Sequence, residues 1–330
     1  MDWQFFPGEW YLDAAVLLLA LALDFTLGEP PDAFHPVVWM GKLIAVLERF
    51  FPAGSSTAAL LAGAGVTLFV PALFGGIAWL TALGLRELGT IPYLLGGALL
   101  LKTAFAVKGL GRAAQVTRRA LDAGDLDGAR YSLRNLVSRD TKTLTEPQLA
   151  AAAIESVGEN TTDSYIAPWL AFALLGLPGA FAYRALNTLD SMIGYHGKYE
   201  YTGKVAAKLD DLVNLVPARI SALMLLAAGC CRWADGADGR AGHTGTLSVR
   251  RGWRIMRRDH GLTESPNAGW TMGALSGLIG VVLEKRGHYL IGRDMQTPDA
   301  ADIGLAVRLA YRTAVLGALL ALGLMALRGC

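Results

Sequence analysis

Glu155, Glu159 and Asp163 recur at four-residue intervals in the segment Glu155-Ser-Val-Gly-Glu159-Asn160-Thr-Thr-Asp163, which leads into an apolar stretch at 166–183. On a helix turning roughly 100° per residue, these positions drift only about 80° and form one stripe. Like charges so close repel unless a cation stands between them, and Mg²⁺ is commonly held by one or two carboxylates plus substrate phosphates. A solvated acidic helix face is the plain alternative. A second polar block at 187–214 carries Asn187 and Asp190 at i and i+3, and Asp210 or Asp211 with Asn214 at i+4 or i+3. Each pair can share a helix face. Facing Glu159, Asn160 and Asp163, the two pairs would line an oxygen-rich bowl for magnesium. Between them, Gly194, Gly197 and Gly203 are expected to release backbone amides, while Lys198, Lys204 and Lys208 offer ammonium groups. Hard oxygen ligands, free amides and lysines are what a transferring phosphoryl group requires.

The elements that must position these groups are membrane helices. Of 330 residues, 53% are hydrophobic and 18% charged, against about 25% charged in soluble domains; the mean hydropathy is +0.38. The uncharged run 58–85 exceeds the roughly 20 residues that cross a bilayer. Further candidates lie at 10–27, 91–107, 166–183, 215–231, 268–283 and 313–327, giving an expectation of about five to seven crossings. The fold class is therefore an all-α integral membrane protein, some of its helices re-entrant, organised as one polytopic domain over 1–330. The first apolar run follows Asp2 and Glu9 rather than a basic region, so no cleavable signal peptide is expected.

Arginine-rich loops at 108–142 and 232–258 are expected on the cytoplasmic side by the positive-inside rule. Cytoplasmic loops are placed at approximately 28–57, 108–165 and 232–267. The segment at 166–183 contains Pro168 and Pro178, and a hairpin that dips into the membrane and returns would keep the block 184–214 on that side too. Within the loops, 111–123 and 145–157 read as amphipathic helices. Cys230, Cys231 and Cys330 show neither zinc spacing nor a disulfide framework. No standard nucleotide-binding fingerprint is present.

Three smaller features complete the inventory. Asp24 and Glu29-Pro30-Pro31 end the first span, and His35-Pro36 opens a helix through Met40 and Ile44. Arg139 could meet a substrate phosphate or pair with neighbouring Asp140. Ser265 or Asn267 would cap a helix with Pro266 near its first turn, leaving the other free to face a ligand.

In order along the chain, these motifs resemble the adenosylcobinamide-phosphate synthase family, the CobD/CbiB membrane proteins of cobalamin biosynthesis. The resemblance is carried by Asp24 with Gly28-Glu-Pro-Pro and His35-Pro-Val-Val-Trp-Met-Gly, by Arg139-Asp-Thr, and by Glu155-Ser-Val-Gly-Glu-Asn-Thr-Thr-Asp163. It continues through Asn187-Thr-Leu-Asp-Ser-Met-Ile-Gly-Tyr195, Ala207-Lys-Leu-Asp-Asp-Leu-Val-Asn214 with Pro217-Ala-Arg219, and Ser265-Pro-Asn-Ala-Gly269. One departure is Leu283-Glu-Lys-Arg-Gly-His-Tyr289-Leu-Ile-Gly292, where such proteins tend to show a glycine pair and an asparagine before Tyr-x-Gly.

The resemblance implies an ATP- and Mg²⁺-dependent amide ligase that joins adenosylcobyric acid to (R)-1-amino-2-propanol O-2-phosphate, through an acyl phosphate, to give adenosylcobinamide phosphate. Glu159, Asp163, Asp190, Asp210 and Asp211 are then expected to hold magnesium. Lys198 and Arg139 would face phosphate charge, and His196 or Glu155 would accept the amine proton. Asn160, Asn187, Tyr195, Asn214, Ser265 and Asn267 are the expected substrate-binding residues. Expected partners are the corrinoid, the aminopropanol phosphate and the lipid bilayer of the inner membrane, with no nucleic acid; self-association or association with other late enzymes of the pathway is the protein-level expectation. Two rival readings are a magnesium-dependent membrane enzyme acting on isoprenoid diphosphates and a non-enzymatic transporter.

Overall fold

The computed structural model describes residues 10–52, 55–137, 139–194, 197, 199–230 and 247–328. Among these the chain is almost wholly helical. Its elements in order are α1 (Trp10–Leu27), α2 (Pro36–Glu48), α3 (Ser56–Glu87), α4 (Thr90–Lys102), α5 (Val107–Asp122) and α6 (Leu126–Leu133). There follow α7 (Glu146–Thr161), a π turn (Thr162–Ile166), α8 (Ala167–Ile193), α9 (Lys204–Cys230), α10 (Val249–Asp259), α11 (Ala268–Ile279) and α12 (Ala300–Arg328). The exception to an all-helical chain is a hairpin of β1 (Leu283–Lys285) and β2 (Tyr289–Ile291), paired antiparallel with Glu284 opposite Leu290.

Among the described residues, six segments are by length and composition apolar enough to cross a membrane: Trp10–Leu27, Ser56–Glu87, Thr90–Asp122, Glu146–Ile193, Lys204–Cys230 and Ala300–Arg328. The protein is thus a multi-pass membrane protein, with a span count inside the expected range. The candidate at 268–283 is corrected: α11 has only 12 residues, nearly all of them buried against protein, and a helix so short cannot reach across a hydrocarbon core of about 30 Å.

The chain divides into two compact units. The first holds α1 to α4, α8, the start of α9 and the end of α12. In it α3 packs along α8 and α1 along α4. Close approach explains Gly63: a Cβ there would run into the backbone carbonyl of Thr202. Gly63→Ala should therefore cost about 1–3 kcal/mol of stability, as overpacking does, read as a lowered unfolding midpoint in detergent. α8 is broken at Gly176, whose φ of 66° and ψ of −159° suit only glycine. The predicted apolar segment at 166–183 is accordingly two helical pieces joined at a sharp bend.

α1 buries two aspartates, which an apolar environment tolerates only with partners. Asp13 accepts hydrogen bonds from the Tyr93 hydroxyl at 2.6 Å and from Arg86 at 3.2 Å, and its second oxygen is bound by Arg328. Arg328 also donates to the Ala173 carbonyl at 3.1 Å. Asp24, fully buried, lies 3.7 Å from the Lys102 ammonium.

The second unit holds α5 to α7, most of α9 and α12, α10, α11 and the hairpin. α5 is amphipathic as expected, and α6, not anticipated from sequence, starts at Asp125, whose carboxylate accepts the Gly128 N–H at 2.8 Å. α7 departs from the amphipathic reading. Its run from Leu149 to Gly158 is buried on every side, because four consecutive alanines, Ala150 to Ala153, let α5 and α11 approach it from several directions.

Candidate functional site

In the first unit the two acid–amide pairs meet. Asn187 and Asp190 on α8 approach Asp210 on α9, as their helical spacing predicts. The Asn214 amide donates to Asp210 Oδ2 at 2.9 Å, and the Tyr183 hydroxyl donates to Asn214 Oδ1 at 2.9 Å. The same hydroxyl stands 3.4 Å from Asp163 Oδ1, and Arg184 reaches Asn187 Oδ1 at 3.4 Å. Asp211 adds its charge next to Asp210. Asp210, Asn214 and Asn187 are buried. Asp210 Oδ1 is shielded from solvent and accepts no hydrogen bond of normal geometry.

Two carboxylates with a buried bare oxygen and side-chain amides form a hard-oxygen donor set that suits Mg²⁺, which needs few protein ligands when phosphates complete its shell. Among the described residues, no three His, Cys, Asp or Glu side chains come close enough to hold a metal by themselves. A cation here would rest on Asp190 and Asp210 and take its remaining ligands from substrate and water.

Beside this cluster, Lys102 joins its ammonium to Glu29 Oε2 at 2.7 Å, and His35 Nε2 lies 3.3 Å from the same oxygen. His35 also does the capping its position predicts, its Nδ1 accepting the Val37 N–H at 3.3 Å ahead of α2. Partial burial would push the Glu29 carboxyl up, but hydrogen bonds and charge from His35 and Lys102 outweigh it and hold the group below its usual 4.5. A depressed carboxyl stabilises the fold above its unfolded pKa, and that contribution disappears as pH falls through the lowered folded value. The stability gap between wild type and Glu29→Gln should therefore be full at neutral pH and close only below the ordinary carboxylate range, as unfolding midpoints in detergent across pH would record.

In the second unit Glu155 is buried at the centre of α7. Arg139 donates to its Oε2 at 2.7 Å, so the arginine serves Glu155 and not Asp140, whose carboxylate instead accepts the Lys142 N–H at 3.0 Å. Glu155 Oε1 makes no hydrogen bond of normal geometry. The hydroxyl of Tyr289, from β2, faces this carboxylate. Burial, then the charges of Glu155 and Glu159, push the Tyr289 phenol well above its usual range, so it remains a proton donor at neutral pH. Glu159 is exposed and has Lys285 and Arg139 as neighbouring cations.

Several expectations are corrected. The stripe from Glu155 to Asp163 is not one α-helix, because the π turn begins at Thr162 and changes the angular step before Asp163. Asn160 folds its amide back onto the Ser156 carbonyl at 3.0 Å. The amides of Gly194 and Gly203 are not released: they bond to Asp190 O and Tyr199 O at 2.8 Å each. Neither Ser265 nor Asn267 caps the N-terminus of α11 in the expected way. Asn267 Oδ1 accepts from Arg219 at 2.7 Å, Ser265 Oγ accepts the Asn267 N–H at 3.3 Å, and Thr263 Oγ1 takes the Gly269 N–H at 3.1 Å. Tyr195, His196 and Lys198 lie outside the described residues.

Sequence reasoning missed Tyr183, Arg184, Lys102, Lys285 and Tyr289. Tyr183 was findable, since it stands four residues before Asn187 and seven before Asp190 on one helix face. Tyr289 had no local signal.

The CobD/Cbib protein family profile matches residues 17–310. The chain belongs to this family. The cobalamin biosynthesis protein CobD of Dehalococcoides mccartyi is 44% identical over 281 residues, covering 85% of this chain and 87% of that protein. The Klebsiella pneumoniae protein of the same name is 41% identical over 290 residues, 86% of each. A probable cobalamin biosynthesis protein CobD of Methanothermobacter thermautotrophicus is 37% identical over 314 residues, 95% of this chain and 98% of its own. No solved structure matches the chain. Membership places the chain in cobalamin biosynthesis, and the CobD/CbiB match covers both the α8–α9 cluster and the Glu155 cluster.

Proposed function

We propose that the chain is an ATP-dependent amide ligase that joins a peripheral carboxyl group of adenosylcobyric acid to the amine of (R)-1-amino-2-propanol O-2-phosphate, giving adenosylcobinamide phosphate. The observation that carries this reading is the meeting of half-buried Asp190 with buried Asp210, Asn187, Asn214 and Tyr183, set in an apolar helical chain of the CobD/CbiB family. Buried carboxylates persist in such surroundings at a cost that a functional cation offsets.

A carboxylate is a poor acyl donor, and Mg²⁺–ATP, when bound, supplies the phosphoryl group that activates it as an acyl phosphate. Asp190 and Asp210 would hold the cation. Tyr183 and Asn214 fix the Asp210 side chain through a chain of 2.9 Å hydrogen bonds, so the carboxylate is oriented before any ligand arrives. Arg184, held loosely at 3.4 Å by Asn187, is the cation of this cluster that can turn toward phosphate. In the second unit, taken by itself, Arg139 fixes one oxygen of Glu155 and the Tyr289 hydroxyl faces the carboxylate, which makes Glu155 this unit's candidate acceptor for an amine proton. Tyr289 lies opposite as a fixed donor.

The test is an assay of purified protein in detergent with ATP, Mg²⁺ and adenosylcobyric acid while the amine is varied. Phosphate release coupled to amide formation, dependent on both corrinoid and amine, is the expected result. Absence of release with every amine overturns the proposal, and ATP-independent turnover of an isoprenoid diphosphate would establish the rival class.

A further inference from the structure

α10, Val249–Asp259, is the most strongly amphipathic of the described helices. Its inner face is seated tightly: Gly252, Ile255, Met256 and Asp259 are buried, and a Cβ on Gly277 of α11 would press on the Arg251 carbonyl and Gly252. Two of its five arginines serve the fold. Arg251 donates to the Gly277 and Leu278 carbonyls at 2.6 and 3.0 Å, capping α11, and Arg258 binds Asp259 and Asp294. The other three do not. Arg250, Arg254 and Arg257 are exposed and make no ion pair or hydrogen bond among the described residues. They fall at i, i+4 and i+7, so they form one outward stripe. Trp253 lies within that stripe, 45% exposed, with the Arg257 guanidinium 5.9 Å from its ring centroid.

Three uncompensated guanidinium groups around an exposed indole on a rigidly seated helix need an anionic, partly apolar partner. A multi-pass protein always has one at hand. Guanidinium groups bind phosphates through planar paired hydrogen bonds, and indoles favour the level of lipid headgroups. We propose that the Arg250–Trp253–Arg254–Arg257 face of α10 rests on the phosphate headgroups of anionic phospholipids. This inference is independent of the ligase reading. It assigns α10 the part of an interfacial helix, with each arginine contributing about a fivefold preference for anionic over zwitterionic lipid.

The experiment uses the full chain in nanodiscs of phosphatidylcholine, with either phosphatidylglycerol or further phosphatidylcholine brominated near the headgroup end of its chains. The fluorescence owed to Trp253 is the difference between wild type and Trp253→Phe. It should be quenched more by the brominated phosphatidylglycerol, and both the R250Q/R254Q/R257Q variant and high salt should remove the excess. Equal quenching by the two lipids, no quenching that Trp253→Phe removes, or an excess that survives the triple substitution overturns the proposal. All four targeted side chains are exposed, and size-exclusion profiles matching wild type establish that the variants are folded.

Discussion

Asp210→Asn should slow amide formation by about two orders of magnitude or more, the scale of losing one preorganised charge at a phosphoryl-transfer centre. The substitution keeps the shape of the side chain. Its amide oxygen can still accept the 2.9 Å hydrogen bond from Asn214, and removing the buried one of two neighbouring carboxylates relieves repulsion with Asp190. The fold should therefore be at least as stable as wild type, which separates this loss from unfolding. What disappears is the bare Oδ1 charge. The Mg²⁺ concentration giving half-maximal phosphate release should rise in step with the loss of rate. A variant with wild-type turnover and an unchanged magnesium requirement would remove Asp210, and the α8–α9 pair with it, from the catalytic account.

The second large effect separates support from chemistry at Glu155. Arg139→Met leaves a carboxylate that is only 6% exposed without its cation, and stranding a buried charge costs about 3–5 kcal/mol. Glu155→Gln should cost less, since the amide needs no counter-charge and can keep a neutral hydrogen bond. The double variant should regain most of the stability lost in Arg139→Met, because no orphaned charge remains. Turnover should follow a different order: both variants lacking the carboxylate fail to form amide, and restoring stability restores no activity. Unfolding midpoints and turnover in the same detergent would give both readouts. A double variant no more stable than Arg139→Met would mean that the 2.7 Å ion pair is not what holds Glu155 in α7.

Features set by one local periodicity were legible in the sequence. The first apolar run coincides with α1, His35-Pro36 opens α2, and the pairs at 187/190 and 210/214 share helix faces and meet. What the sequence hid depends on a local break or on a distant partner. Glycine and proline in an apolar run permit a bend without requiring one: a turn within 166–183 is expected from Pro168 and Pro178, but nothing singles out Gly176 as the residue where α8 breaks. Nothing in Thr162-Asp-Ser-Tyr-Ile166 separates π from α backbone. Arg139 has an acid as its immediate neighbour, yet bonds with one sixteen residues away. Tyr289 reads as an apolar residue, because the hydroxyl that matters is defined only by what tertiary structure brings to it. Hydropathy likewise admitted 268–283 as a span, since a helix buried in protein and one buried in lipid have similar composition.

The Asp13 cluster has a consequence for how the chain is made. One carboxylate oxygen is matched by Arg86 and Tyr93, which appear as α3 and α4 are synthesised; the other is matched by Arg328, 315 residues further on. α1 thus carries a half-answered charge until α12 is made. Until then one oxygen of Asp13 lacks its arginine, and a nascent chain stalled before that point would expose the open carboxylate to membrane quality control.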